Sequence, residues 1–182
     1  GASIKEVNLS TSINLSDTAA PGPNLNKRRC ARRAKCQGVI IEESTDFDSF
    51  WPILEATLRE RHNVRPVHSL AEIKLLASRF PDNLKLFTAL GPDGNILGGT
   101  VLYISPRVVH AQYIASTPEG RQLGAVHLLF LELRDRFGGR EGWLDFGISN
   151  EDHGLILNSG LIDQKWNYGG RPVAHYIFSL DL

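Results

Sequence analysis

The chain has 182 residues, of which 42% are hydrophobic and 22% charged, enough for one domain with a sizeable core and too few for two ordinary ones. Twenty Lys and Arg offset twenty Asp and Glu, and a net charge of zero excludes a chain that binds polyanions through its overall charge. With only two cysteines and no apolar run near the ~20 residues that cross a bilayer, a disulfide-stapled scaffold and a helical membrane span are excluded, and a cytoplasmic location is expected.

Ile4, Val7, Leu9, Ile13 and Leu15 alternate loosely and predict an edge strand or an extended arm within residues 1–23. The breaker-rich stretch from Thr18 to Asn24 predicts a linking loop, after which residues 24–182 are expected to form a single domain. Leu25 to Lys35 reads as a short basic helix stopped by Gly38, with Lys27, Arg28, Arg29, Arg32, Arg33 and Lys35 on it. Such a row of like charges fits a solvated face, a contact with another domain, or an anionic partner such as tRNA. Val39 to Glu43 follows as a strand.

Thr45 or Asp46 caps the next helix, along which Phe47, Phe50, Trp51, Leu54 and Leu58 recur at helical spacing, with Pro52 confined to its early turns. Ser69 and Glu72 form a capping box for a second helix carrying Leu70, Ile73 and Leu76. The period then changes to two. Strands are expected at 84–90 and 96–104, joined by a tight turn at 91–95, with Gly98 and Gly99 marking a bulge or a close backbone approach. A third strand covers 108–115, and Pro118-Glu-Gly makes a turn. Ala125 to Phe137 is a helix ended by Gly138-Gly139, and Trp143 to Ile148 a mostly apolar strand. A polar loop leads to a short helix at 160–168 and a last strand at 172–180. This order predicts an α/β fold with α+β character: a mixed sheet with helices on both faces.

Several residues could carry chemistry. The loop with Gly120 and Gly124 delivers the chain into a helix start, whose free amides can cradle an anion, with Arg121 adding charge. Asp145 sits in an apolar strand, where a carboxylate needs partners; it can face a cleft, hold an ammonium, orient a histidine or cap a loop. Ser149 lies on the same face, and Asn158 and Lys165 lie in and after the polar loop, Asn158 or Ser159 as a helix cap. His68 and His110 are candidate bases, while His127 and His175 fit surface or packing roles. No set of metal ligands is legible in the spacing, so no metal is expected.

Six segments in order resemble the FemAB-like branch of the GNAT acyltransferase superfamily, over about residues 24–182. They are Asn26-Lys-Arg-Arg with Ala34-Lys35 and Gly38; Phe50-Trp-Pro-Ile-Leu; Pro66-Val-His-Ser with Glu72; His110-Ala-Gln-Tyr-Ile-Ala-Ser; Asp145-Phe-Gly-Ile-Ser-Asn; and Asn158-Ser-Gly-Leu-Ile-Asp-Gln-Lys with Tyr168-Gly-Gly-Arg. The resemblance implies a sheet that splays open beside a bulged strand, here His110 to Ser116, with the acyl donor in the opening. It implies a donor pyrophosphate over Gly120, Arg121, Gln122, Gly124 and Ala125, although Val126 stands where the family pattern has a small residue. The implied donor is acyl-CoA, or aminoacyl-tRNA as the alternative, and the implied acceptor a small-molecule, peptide or sugar amine of the cell-envelope type. Family members often carry a second such domain in tandem, which for this chain would lie upstream. Under the implied mechanism His68 or His110 is the base, Tyr113 protonates the leaving group, and Asp145 and Lys165 clamp the substrate. The alternative is a degenerate, non-catalytic domain that binds an acceptor or a partner domain.

Overall fold

The computed structural model describes residues 1–17 and 19–180; Thr18 in the expected loop and residues 181–182 at the end of the expected domain lie outside it. In chain order the elements are β1 (Ala2–Asn14), α1 (Leu25–Cys36), β2 (Ile40–Ser44), α2 (Phe47–His62), α3 (Leu70–Arg79), β3 (Leu84–Leu90), β4 (Ile96–Ile104), β5 (Val108–Ser116), α4 (Pro118–Leu123), α5 (Ala125–Phe137), β6 (Trp143–Ile148), β7 (Asn150–Glu151), β8 (Ile156–Leu157), α6 (Ser159–Trp166) and β9 (Arg171–Leu180). Seven strands form one sheet in the order β2-β3-β4-β5-β6-β1-β9. Every pairing in it is antiparallel except β5 with β6.

Local signals account for most elements. Asp46 accepts from the Ser49 amide at the start of α2, and Ser69 with Glu72 closes the expected capping box on α3. α2 and α3 then bury Phe50, Trp51, Leu54 and Ile73 against Leu86, Val101 and Tyr113 on one face of the sheet. On the other face α5 sets Leu129, Phe130 and Leu133 against Phe87, Leu102, Val109 and Leu144, and α1 adds Ala31 and Ala34. A side chain such as Phe50, fully buried, contributes about 1.5–3 kcal/mol. Gly99 marks a close approach, since a Cβ there would lie 2.6 Å from the Phe87 carbonyl.

Three expectations are corrected. β1 is neither an edge strand nor an arm: it lies inside the sheet, pairing with β6 on one side and with β9 along ten positions on the other. Its partners become available only after the chain has returned, so nothing local announces the pairing. The expected turn at 118–120 is the first part of α4, with Thr117 as N-cap and Pro118 in the first turn. The expected polar loop carries the small hairpin β7–β8.

The feature that positions the site is in β5. Opposite β4, Val101 pairs with Tyr113 and Leu102 with Ala111, leaving Gln112 as an extra residue. Side chains alternate along a strand, so residues 110 and 113 would point to opposite faces without that insertion. Accordingly Val109 and Ala111 pack on the α5 side, while Tyr113 and Ala115 pack under α2 and α3. On its other edge β5 pairs with β6 only through Val108, Val109 and His110. Beyond His110 the two strands part, as expected.

Candidate active site

Two hydrogen-bonded pairs sit where the strands separate. His110 Nδ1 lies 2.7 Å from Asp145 Oδ2, and Ser12 from β1 donates to the other carboxylate oxygen at 2.8 Å. Burial works to raise the Asp145 pKa, but bonds from His110, Ser12 and the Gly147 amide outweigh it and hold the carboxyl below its usual value. An ionised carboxylate fixes the Nδ1–H tautomer, so Nε2 carries the free lone pair. The Gln112 side-chain amide, on the bulge residue, lies 3.2 Å from that nitrogen, and with its NH2 turned toward the imidazole it donates to the lone pair. In the second pair, Tyr113 Oη lies 2.7 Å from His68 Nδ1 and accepts from the His68 backbone N–H at 3.2 Å, which leaves the hydroxyl proton for the imidazole. Trp51 packs edge-on against Tyr113, with ring centroids 5.6 Å apart.

Three cavities surround these pairs. One of about 500 Å³ starts where the strands part, at His110, Gln112, Asp145 and Gly147, and runs over the sheet across β6 to Asn8 and Ser10 of β1 and His175 of β9. A second, of about 220 Å³, lies further along the opening, against Ser116, Gly120, Arg121, Gly124 and Val126, with Arg61 and His127 beside them. A third, of about 410 Å³, lies under α3 and is reached by both His68 and His110.

Of the residues expected to hold an anion, Gly120, Arg121 and Gly124 line the second cavity, and Gln122 and Ala125 do not. Gly120 is required there: a Cβ would sit 1.9 Å from the Leu97 carbonyl. α5 begins at Gly124 with no side-chain cap. Arg121 reaches the Ser116 carbonyl at 3.0 Å and Glu60 at 3.2 Å, so its charge at the cavity is shared with a carboxylate. Ala125 is fully buried, and Gln122 faces solvent with its backbone carbonyl taken by Arg33. Burial, with Lys27 and Arg33 nearby, lowers the His127 pKa to about 4, and its ring bonds to Tyr168.

Other expected residues take structural places. Lys165 is 6% exposed and donates to the carbonyls of Gly147 and Ile148 and to Ser149 Oγ, so it ties down the end of β6 and is not free to clamp a substrate. Ser149 is spent on that contact. Asn158 caps α6 through the Leu161 amide. Asp145 bonds to His110, Ser12 and the Gly147 amide and lines the 500 Å³ cavity. Ser12, Gln112 and His175, which bonds to Ser10 at 2.8 Å, were not signalled by any local pattern.

A family model described as an acetyltransferase (GNAT) domain matches residues 25–153. Among solved structures the chain is similar to FemX, with a TM-score of 0.73 and 13% identity over 90% of this chain and 59% of that one. L-PGS from Bacillus licheniformis gives 0.71 at 12% identity, covering 98% of this chain and 60% of that one. The C-terminal domain of a putative lysylphosphatidylglycerol synthetase from Agrobacterium fabrum gives 0.69 at 11%, again covering 98% of this chain and 60% of that one. This chain therefore spans about three fifths of the length of those structures, and at these identities the likeness is one of fold. No curated protein sequence matches it.

Proposed function

This chain belongs to the acetyltransferase (GNAT) domain family, and from that premise we propose that it is an N-acyltransferase working by direct attack of an acceptor amine on an activated acyl donor. The observation that carries this is the parting of β5 and β6 immediately after the His110–Asp145 pair. It leaves a cavity with a base at its edge and the open side of a strand for an oxyanion.

Under this proposal the amine nitrogen comes to His110 Nε2 in place of the Gln112 side chain and gives its proton there. Asp145, fixed by Ser12, stabilises the imidazolium that forms. As the carbonyl collapses, the Tyr113 hydroxyl turns from His68 Nδ1 and gives its proton to the leaving group, and the His68 backbone N–H stabilises the phenolate. Holding the two reactants together supplies much of the acceleration. Arg61, Arg121 and the start of α5 would hold the anionic part of the donor, an acyl-CoA, with aminoacyl-tRNA as the alternative. The acceptor class implied is an amine of the envelope or sugar type, met in the cytoplasm.

Titration calorimetry with coenzyme A and short acyl-CoA thioesters tests the donor assignment. Micromolar to millimolar binding is expected; no heat with any of them favours a degenerate domain, a reading to which Val126 and the Arg121–Glu60 pair lend some weight. Tyr113→Phe should lower kcat about 10²-fold with a small change in KM. Unchanged turnover removes Tyr113 from the mechanism.

A further inference from the structure

The cavity under α3 plays no part in the mechanism above, yet it opens onto both imidazoles. Leu76, Phe80, Leu84, Tyr103, Ile104 and Val108 supply apolar walls. Of its other polar members, Asn83 donates to the Ile104 carbonyl at 2.7 Å and Ser105 bonds to both backbone groups of Val108, so that the Tyr103 hydroxyl, buried and without a hydrogen-bond partner, is the one left uncommitted among the described lining residues. Among its described lining residues there is no carboxylate, Lys or Arg. A polyhydroxylated acceptor would lose its hydration there and find few partners, whereas an apolar body loses nothing by entering. A volume of about 410 Å³, mostly apolar with a few polar groups at one side, suits a small ligand.

We infer that this cavity is the acceptor subsite and that it takes the apolar body of a primary amine, an arylalkyl or short alkyl group, whose nitrogen reaches His110. The inference rests on the acyltransferase reading and departs from its sugar-type acceptor, placing the amine on an apolar body instead. His110 faces this cavity as well as the opening between β5 and β6, so an amine seated under α3 meets the donor from the opposite side of the imidazole. His68 lines the same cavity and, through its bond to Tyr113, couples the seated acceptor to the proton donor.

Binding of 2-phenylethylamine and of glucosamine, followed by calorimetry on the full chain without donor, separates the possibilities. The arylalkyl amine should bind at least about tenfold more tightly than the amino sugar, and Leu76→Trp, which fills the cavity, should weaken it by about tenfold or more. Phe80→Ala, at the solvent-exposed rim, should weaken it about threefold, and it carries the test if the tryptophan variant does not fold. Failure of 2-phenylethylamine to bind, equal affinity for glucosamine, or affinity untouched in a folded variant overturns the inference. Absence of donor binding would instead sink the acyltransferase reading, which amine titration alone does not probe. With donor present, transfer to glucosamine but not to 2-phenylethylamine would keep that reading and refute the subsite.

Discussion

Asp145 shows how much one side chain can depend on elements far away in the chain. It is accepted in a half-buried strand because Ser12, His110 and the Gly147 amide bond to it, and those bonds keep it ionised. A carboxyl held below its usual value stabilises the fold at pH above that value, and this contribution fades as pH falls through the lowered pKa. The pair is therefore intact near neutrality. Asp145→Asn keeps the shape but loses the tautomer control and should lower kcat/KM about 10²–10³-fold, measured across pH 6–9. It should also flatten the acid limb of thermal stability. Lys165 gives a slope of the same sign, but through a cost on its charged form and not a gain. Burial lowers its pKa from 10.5 to about 8, so between those values the unfolded chain binds the extra proton and stability rises with pH. Lys165→Met removes the donor to two half-buried carbonyls and to the buried Ser149 hydroxyl and should cost about 1–2 kcal/mol at pH 7 in denaturant titration. Because the variant lacks the titration, the wild type's advantage should widen from pH 8 to 10.5.

At the scale of elements, the bulge at Gln112 decides which residues can work together. Removing Gln112 restores simple alternation and turns either His110 or Tyr113 to the α5 side, so the two pairs can no longer share one face. Deletion of Gln112 should abolish turnover, by about 10³-fold or more, and lower the melting temperature, whereas Gln112→Ala keeps the bulge and should melt near the wild type. This feature was not readable from the residues of β5, whose pattern looks like an ordinary alternating strand; the family resemblance supplied it. The helices α2, α3 and α5 and the β3–β4 hairpin were readable, because caps, helical spacing and a turn sequence are all written within a few residues. α4 was missed although Thr117-Pro-Glu is a fair helix start, because Gly120 reads locally as part of a turn. His68, His110 and Tyr113 stand out in the sequence as chemistry-bearing residues, but their hydrogen-bonded pairing is not legible there. His68 lies 45 residues from Tyr113, and Ser12 lies 133 from Asp145, so only the folded sheet brings them within bonding distance.

At the scale of the molecule, the strand earliest in the sequence completes the sheet last. β1 separates β6 from β9, so without it β6 loses one neighbour, β9 has no partner, and α6 stands on an incomplete floor. Contacts between residues 2–14 and 143–180 are among the most distant in sequence, and closing such loops is slow and entropically expensive. The β1–β9 ribbon also leaves Ile4, Tyr176 and Phe178 exposed, so an unpaired β9 would present both apolar side chains and free backbone groups. A fragment of residues 24–182, the extent that sequence patterns suggested for the domain, should therefore be aggregation-prone and show no cooperative thermal transition, while residues 1–182 melt in one step. The active site would fail with it, since Ser12 is lost and Asp145 loses the bond that offsets its burial. If the fragment stays monomeric by light scattering and melts cooperatively within a few degrees of the full chain, β1 is an accessory to the domain and the support it gives Asp145 is dispensable. Supplying residues 1–16 as a separate peptide distinguishes the two outcomes further. When β1 is integral, the peptide should raise the solubility of the fragment and restore near-ultraviolet dichroism from the aromatic cluster Phe130, Phe146 and Tyr168, which packs between α5 and β6 close to where β1 docks.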